Sequence, residues 1–278
     1  MNDFMPEIVS GSFAPNRLEL WPPQSIRVVD WNIDRGLQLR GVIDFLASSG
    51  ADLIFLQEVD MNSRRAHNLN IAEEIARELR MNYVFGREFQ ELLQGSSDSP
   101  AYHGQATLCR WRLLDPRLIR FRNQSGFWQP HWFVPRIEPF QVRLGGRIAL
   151  IVRLQVAGRD LVTYNLHLES RGPEHLRVAQ LEEALSDASS LEGGTPILIA
   201  GDLNLDSTHG EAATELRRFQ FRNAVGARPG PTTSRKLLLP GRRIDWAFIR
   251  GPIQTSQFEV HSSVHASDHY PLSFTVIL

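Results

Sequence analysis

The stretch Pro196-Ile197-Leu198-Ile199-Ala200-Gly201-Asp202-Leu203-Asn204 constrains the chain more than any other. Five uncharged residues run straight into a glycine, an acid and an amide. A short apolar run bounded by Gly193-Gly194 and Gly201 has the pattern of a strand buried on both faces. Its C-terminal end carries Asp202 and Asn204 to the rim of a sheet, where enzymes built on sheets commonly place their chemistry. An acid two residues from an amide, both leaving a dry strand, suits holding a water or a metal. Gly, Asp and Asn are also ordinary turn residues, so the other strand ends have to decide.

They repeat the pattern. Ile26–Asn32 alternates and is β-branched, which predicts a strand ending at Asn32. Leu39, Val42, Ile43, Phe45 and Leu46 then fall at helical spacing, and Gly50 stops the helix. Asp52–Glu58 is a second dry strand ending in polar groups. A helix is expected within Asn62–Arg80, a strand over Met81–Phe85 and a mobile loop over Gln90–Tyr102. Strands follow at Gln105–Arg110 and Leu113–Arg122. Arg147–Val156 and Asp160–Leu168 form a hairpin about Ala157-Gly158-Arg159. Alternation in the second of these puts Asn165 and His167 on one face. Helices are expected at Glu174–Leu191 and Gly210–Phe219. Arg243–Ile249 is a strand with Asp245 near its start, and Pro271–Ile277 closes the chain, entered through Asp268 and His269.

Between them, Asn123–Phe140 has five aromatics and three prolines but neither helical nor strand period. It is either a loop pinned over the core by its rings or a wall facing substrate, with Trp128 and Trp132 able to stack on a base or sit in a lipid interface.

Strands and helices interleave without a boundary, so one domain over 25–278 is expected, preceded by an irregular lead-in over 1–24. The N-terminus lacks the basic start and continuous apolar core of a signal peptide, and no run approaches the ~20 apolar residues that span a bilayer. A cytoplasmic monomer without membrane insertion is expected. The single cysteine, Cys109, excludes an internal disulfide and a multi-cysteine zinc site. The net charge of −1 gives no global basic field to announce nucleic acid. Arg222, Arg228, Arg235, Lys236, Arg242 and Arg243 nevertheless form a local basic stretch without an acid among them.

Read together, Trp-Asn-Ile (31–33), Leu-Gln-Glu-Val (56–59), Asn-Leu-His-Leu (165–168), Gly-Asp-Leu-Asn (201–204), Arg-Ile-Asp-Trp (243–246) and Ser-Asp-His (267–269) span almost the whole chain past residue 26. In this order they resemble the endonuclease/exonuclease/phosphatase superfamily of metal-dependent phosphodiesterases, which includes DNase I and the apurinic endonucleases. The resemblance implies an α/β fold: a four-layer α/β/β/α sandwich with two mostly antiparallel sheets packed face to face. It also implies a Mg²⁺ or Mn²⁺ cofactor and hydrolysis of a phosphate ester. His167-Leu168-Glu169-Ser170-Arg171-Gly172 and Trp31-Asn32-Ile33-Asp34 look like the branch with the 5′-tyrosyl-DNA phosphodiesterases. The chain departs from it at Leu203-Asn204-Leu205-Asp206, which lacks an early Arg, and at Gln105, where many members have Asn.

The chemistry fits those positions. A hard divalent cation held by Glu58 and the amide oxygen of Asn32 would neutralise the phosphodiester charge. Asp202 would take the proton of the attacking water while Asn204 fixes orientation. His167 and His269 would donate to phosphate oxygens. Asp245 is expected to orient one of these histidines, and Asp268 either approaches the metal or buttresses it. Asn165, Ser170, Trp128 and Trp132 are expected on the substrate side. A nuclease or DNA-end-processing enzyme competes with a lipid or small-molecule phosphoesterase, and a non-catalytic binding module is the distant alternative.

Overall fold

The computed structural model describes residues 6–15, 25–133, 135, 137, 142–156, 158–225, 230–234 and 240–278. Strands β1 (Ile8–Ser12) and β2 (Ser25–Asn32) precede helix α1 (Leu39–Ser49). Gly50 ends that helix in the left-handed conformation, φ 67°, which glycine takes without strain. Strand β3 (Leu53–Met61) leads to α2 (Ile71–Leu79), where the Asn70 side chain accepts from the Glu73 N–H at the helix start. Next come β4 (Asn82–Glu91), β5 (Ala101–Cys109), β6 (Leu113–Arg120), β7 (Arg143–Gly145) and the hairpin β8 (Ile148–Val156) with β9 (Arg159–His167). Helix α3 (Glu174–Ser189) precedes β10 (Ile197–Asp202), and α4 (Gly210–Arg218) precedes β11 (Arg222–Asn223) and β12 (Asp245–Arg250). The chain closes with β13 (Gln254–Val260) and β14 (Leu272–Ile277).

One sheet runs β1-β4-β5-β3-β2-β14-β13, with β7 also on β4, and the other runs β11-β12-β10-β9-β8-β6. Every pair is antiparallel except β2–β3 and β9–β10. Parallel neighbours need a crossover, and α1 and α3 supply one each. Alternation along β3 decides the layers. Leu53 and Phe55 share a core with Leu150 and Val152 of the second sheet, while Ile54, Leu56 and Val59 turn outward onto Val42, Leu46 and Ile75 of α1 and α2. On the far side, Leu181, Ala184 and Leu185 of α3 cover the second sheet. The order is helix, sheet, sheet, helix. Among the described residues no helix is long and apolar enough to cross a membrane.

Three expectations need correction. The lead-in is not irregular throughout: Ile8–Ser12 pairs with Asn82–Gly86 as an edge strand, while 1–5 and 16–24 lie outside the described residues. The loop expected over Gln90–Tyr102 is shorter, because β4 runs to Glu91 and β5 starts at Ala101. The helix expected within Asn62–Arg80 begins only at Ile71, after a short 3₁₀ turn at Arg64–Ala66. Ala157 of the expected hairpin turn lies outside the described residues.

A polar bridge ties the two sheets beneath the site. The Asn165 amide on β9 donates to Leu56 O at 3.1 Å and Ala106 O at 2.9 Å, and its oxygen accepts from Gln57 Nε2 at 2.8 Å. Gln57 Nε2 also donates to Asp30. Asn165→Ala strands two carbonyls and an amide in a dry layer, so about 2–4 kcal/mol of stability should be lost in urea unfolding. Unchanged stability with a raised KM would return Asn165 to the substrate side.

Candidate active site

The ends of the central strands converge on Asp202. It ends β10, and in register it lies opposite His167 at the end of β9 and Asp245 at the start of β12. The residue before it has to be glycine. Gly201 holds φ 144°, and a Cβ there would stand 1.9 Å from Leu166 O, so no other residue allows β9 and β10 this approach.

Asp202 Oδ2 accepts from Asn32 Nδ2 at 3.2 Å, which joins the end of β2 on the first sheet to the second. The Nε2 atoms of His167 and His269 each lie 3.7 Å from the same oxygen. Its other oxygen accepts the Asn204 N–H at 2.9 Å, and the Asn204 amide donates to Leu168 O. His269 Nδ1 lies 2.9 Å from both oxygens of Asp245. The loop carrying His269 is stapled to β2: Trp31 Nε1 donates to His269 O, and Ser267 Oγ donates to Asn32 O. Asp202, Asp245, His167 and Asn32 are all buried.

The two histidines differ in charge. Burial opposes a charged His269, but Asp245 and then Asp202 outweigh it and raise the imidazole to about 10. Burial, reinforced by the Arg147 guanidinium, holds His167 well below its ordinary value, so it is neutral. The Arg147 guanidinium lies against the His167 ring, one of its nitrogens 2.8 Å from Nδ1 and 3.1 Å from Nε2. Arg147 is paired in turn with Glu88 at 3.1 Å, and Glu88 also accepts from Gln105 Nε2. Burial, with Asp245 second, pushes Asp202 itself up to about 7.

Glu58 does not end its strand. The register of β3 against β5 shifts between Leu56 and Val59, and Glu58 sits in that bulge with φ 49°. A bulge re-aims one side chain without ending the ladder, so the carboxylate leaves the sheet mid-strand. Burial alone would raise its pKa, but Arg35, at 3.3 Å, with His103, His167 and Arg143, holds it well below the usual carboxylate range. An ionised carboxylate beside the Asn32 amide is an all-oxygen donor set that fits a hard divalent cation. Asn32 and Gln57 are register partners on β2 and β3, which places Glu58 one residue from the Asn32 rung.

Two groups among the described residues have ligand-like spacing, Asp202–Asp245–His269 described above and Asp60–Glu91–His103, and the latter does not fit a metal. Arg65 already bridges its carboxylates, donating to Asp60 at 2.6 and 2.9 Å and to Glu91 at 2.7 Å. The cation of that cluster is a guanidinium.

The model of the Endonuclease/Exonuclease/phosphatase family matches residues 31–269. The chain belongs to this family. No curated protein matches it. In structure it is similar to an endonuclease/exonuclease/phosphatase from Beutenbergia cavernae DSM 12333, with TM-score 0.66 and 18% identity over 92% of this chain and 72% of that one. It is also similar to a humanized D. rerio TDP2 with 14 mutations, with TM-score 0.63 and 17% identity over 91% of this chain and 99% of that one. TDP2 from C. elegans gives TM-score 0.60 and 19% identity over 91% and 75%. The sandwich is thus the DNase I-like fold of the family, whose members hydrolyse phosphate esters.

Within that frame the structure gathers Asn32, His167, Asp202, Asn204, Asp245 and His269 around one carboxylate. Asn165 is not with them. Expected on the substrate side, it is 0% exposed and both its polar atoms are engaged between the sheets. It shares a face with His167 but lies one pleat deeper, where the opposing sheet covers it. Asp268 is half-buried, and its carbonyl accepts from Ser234 N at 2.8 Å. Ser170 is exposed and accepts from Arg147 at 3.3 Å, so it stands at the rim.

The aromatic stretch divides. Trp128 is docked: its Nε1 donates to Glu169 at 3.3 Å and the Arg143 guanidinium lies 5.0 Å from its ring. Trp132 is 96% exposed, with the Phe133 ring edge-on at 5.7 Å. Phe140, like Arg228, Arg235 and Lys236 of the basic stretch, lies outside the described residues. Glu88, Arg147 and Arg35 are site residues that the sequence pattern missed. Glu88 falls between the strand expected over Met81–Phe85 and the loop expected over Gln90–Tyr102, and Arg147 opens the strand expected over Arg147–Val156; neither position carried a sequence signal.

Proposed function

We propose that this chain is a Mg²⁺- or Mn²⁺-dependent phosphodiesterase of the cytoplasm, acting as a monomer on nucleic acid or nucleic-acid ends by in-line attack of an activated water. The observation that carries this reading is the Asp202 carboxylate, raised toward neutrality, with the Nε2 atoms of two differently charged histidines 3.7 Å away. Asp202 accepts the proton of the attacking water, for which a pKa near the working pH is the favourable value. Asn32 and the Asn204 N–H hold its oxygens in place. His269, charged and locked by Asp245, donates to a non-bridging phosphate oxygen, where transition-state charge collects. His167 donates as a neutral group. Glu58 and Asn32 hold the cation, which when bound neutralises phosphate charge. Ser170 lies on the phosphate side with Arg147 behind it.

The test is a panel of phosphoesters with and without Mg²⁺: single-stranded DNA, a 5′-tyrosyl oligonucleotide, sphingomyelin vesicles, inositol phosphates and an aryl phosphodiester. Turnover of the nucleic-acid substrates, abolished by chelator, is the expected outcome. Full activity in excess chelator overturns the mechanism. Hydrolysis of the vesicles alone would favour a lipid phosphoesterase, a reading supported by the exposed rings of Phe127, Trp132 and Phe133.

Trp132 tests what those rings do. Because it is almost wholly exposed, Trp132→Ala should leave the melting temperature nearly unchanged. It should raise KM for the true substrate by an amount worth ~1–3 kcal/mol, the range for stacking on a base. Turnover of the aryl phosphodiester should barely move. Unaltered KM on every substrate of the panel would remove Trp132 from recognition.

A further inference from the structure

The reaction described above leaves His103 unused. It lies on β5 in register opposite Asp60, two residues past Glu58, and the next rung pairs Gly104 with Val59 at the edge of the bulge. Its ring is 0% exposed, and Nδ1 is 2.8 Å from Asp60 Oδ1. Asp60 cannot turn away. Ser63 Oγ donates to it at 2.6 Å, Arg65 donates to both its oxygens, and Arg65 is anchored on Glu91, which also meets Arg143 Nε at 2.7 Å. Several charged groups thus fix one imidazole.

The other nitrogen is left over. His103 Nε2 is buried and has no hydrogen-bond partner among the described residues. Buried polar atoms are nearly always paired, so an orphan held this firmly asks for a partner that the protein itself does not supply. The same device operates at His269: an aspartate takes Nδ1 and leaves Nε2 for the site. On the paired strands, His103 stands one rung beyond the bulge that turns Glu58 out of the sheet. The Asp60–Glu91–His103 group is not itself a cation site, because Arg65 fills it.

We propose that His103 is a positioning residue for the cation site, with Asp60 clamping Nδ1 so that Nε2 is presented to the oxygen ligands gathered at Glu58. With its proton on Nδ1 toward Asp60, Nε2 is a hydrogen-bond acceptor, the complement of water held by a cation. The inference rests on the metal assignment at Glu58 and Asn32 made under the proposed function.

The experiment is calorimetric titration of the full chain with Mn²⁺, which reads metal affinity without turnover. His103→Asn keeps an amide at the Nδ1 position to donate to Asp60 but has nothing at Nε2. His103→Gln reaches the Nε2 position with an acceptor oxygen. Loss of such an outer partner should weaken Mn²⁺ binding about 10- to 100-fold in H103N with the metal-free melting temperature kept, while H103Q stays within about threefold of the parent. Unchanged affinity in H103N overturns the proposal, and so does equal weakening in both variants, which would mark a packing effect. If H103N does not fold, H103Q decides: binding weaker than about threefold below the parent overturns it. Glu58→Gln is the reference arm. If it too binds Mn²⁺ like the parent, the cation is not at Glu58, and the metal assignment falls together with this inference.

Discussion

Asp202→Asn should lower kcat by roughly 10²- to 10⁴-fold, the span for loss of a positioned general base. The amide is the same size and can still accept from the Asn204 N–H, so the strand end is preserved. What it lacks is the capacity to take a proton. His269→Ala should cost roughly 10²- to 10³-fold, as for other charge-stabilising donors, and it also leaves Asp245 buried without the imidazole that both its oxygens face. That orphaned carboxylate predicts a clear fall in stability for His269→Ala and little for Asp202→Asn. Removing Asp202 instead lessens like-charge crowding, since Asp245 is one of the causes that raise it. Steady-state kinetics on the best substrate of the panel, with thermal melts of both variants, separate the two effects. Unchanged specific activity in Asp202→Asn would mean that the carboxylate is structural and the base lies elsewhere.

What could be read from the sequence follows from how each residue earns its place. Asp202 terminates an apolar run, and Asn32 and His167 terminate alternating β-branched strands; a strand that stops at a polar group announces a sheet rim whatever the tertiary structure. Glu58 was readable by identity but not by conformation. Its bulge comes from the register of β3 on β5, a relation between strands 50 residues apart that no local pattern records. Asn165 and His167 have the same alternation, yet one is spent between the sheets and the other faces the site; only the position of the opposing sheet separates them. Glu88, Arg147, Asp60 and Arg65 escaped because hydropathy treats a charge as solvated, whereas these are buried in pairs. Ile8–Ser12 and Gln254–Val260 are polar edge strands with no apolar alternation of their own. They are strands because β4 and β14 offer them a free edge.

Glu58→Gln should be the cleanest separation of fold from function in this chain. The substitution keeps volume and shape and removes one charge from a side chain whose ion-pair partner in the structure is Arg35, at 3.3 Å. Both side chains are about four-fifths covered, so losing the charge costs more than it would for an exposed pair, but Arg35 keeps Asp34 as a partner and the bulge is set by backbone register, not by the carboxylate. A moderate loss of stability, roughly 1–3 kcal/mol, is expected, with the fold kept. The metal is another matter. A neutral amide replaces the only acidic member of the proposed donor pair, and a hard cation binds carboxylate far better than amide oxygen. Turnover at fixed Mg²⁺ should fall roughly 10²-fold or more. The half-saturating Mg²⁺ concentration should rise in the same variant, so that part of the loss returns as metal is added. In Asp202→Asn added metal should restore nothing, because the missing group there is the base. A Glu58→Gln enzyme with the parent's Mg²⁺ dependence would place the cation on other residues and leave Glu58 as the counter-charge of Arg35.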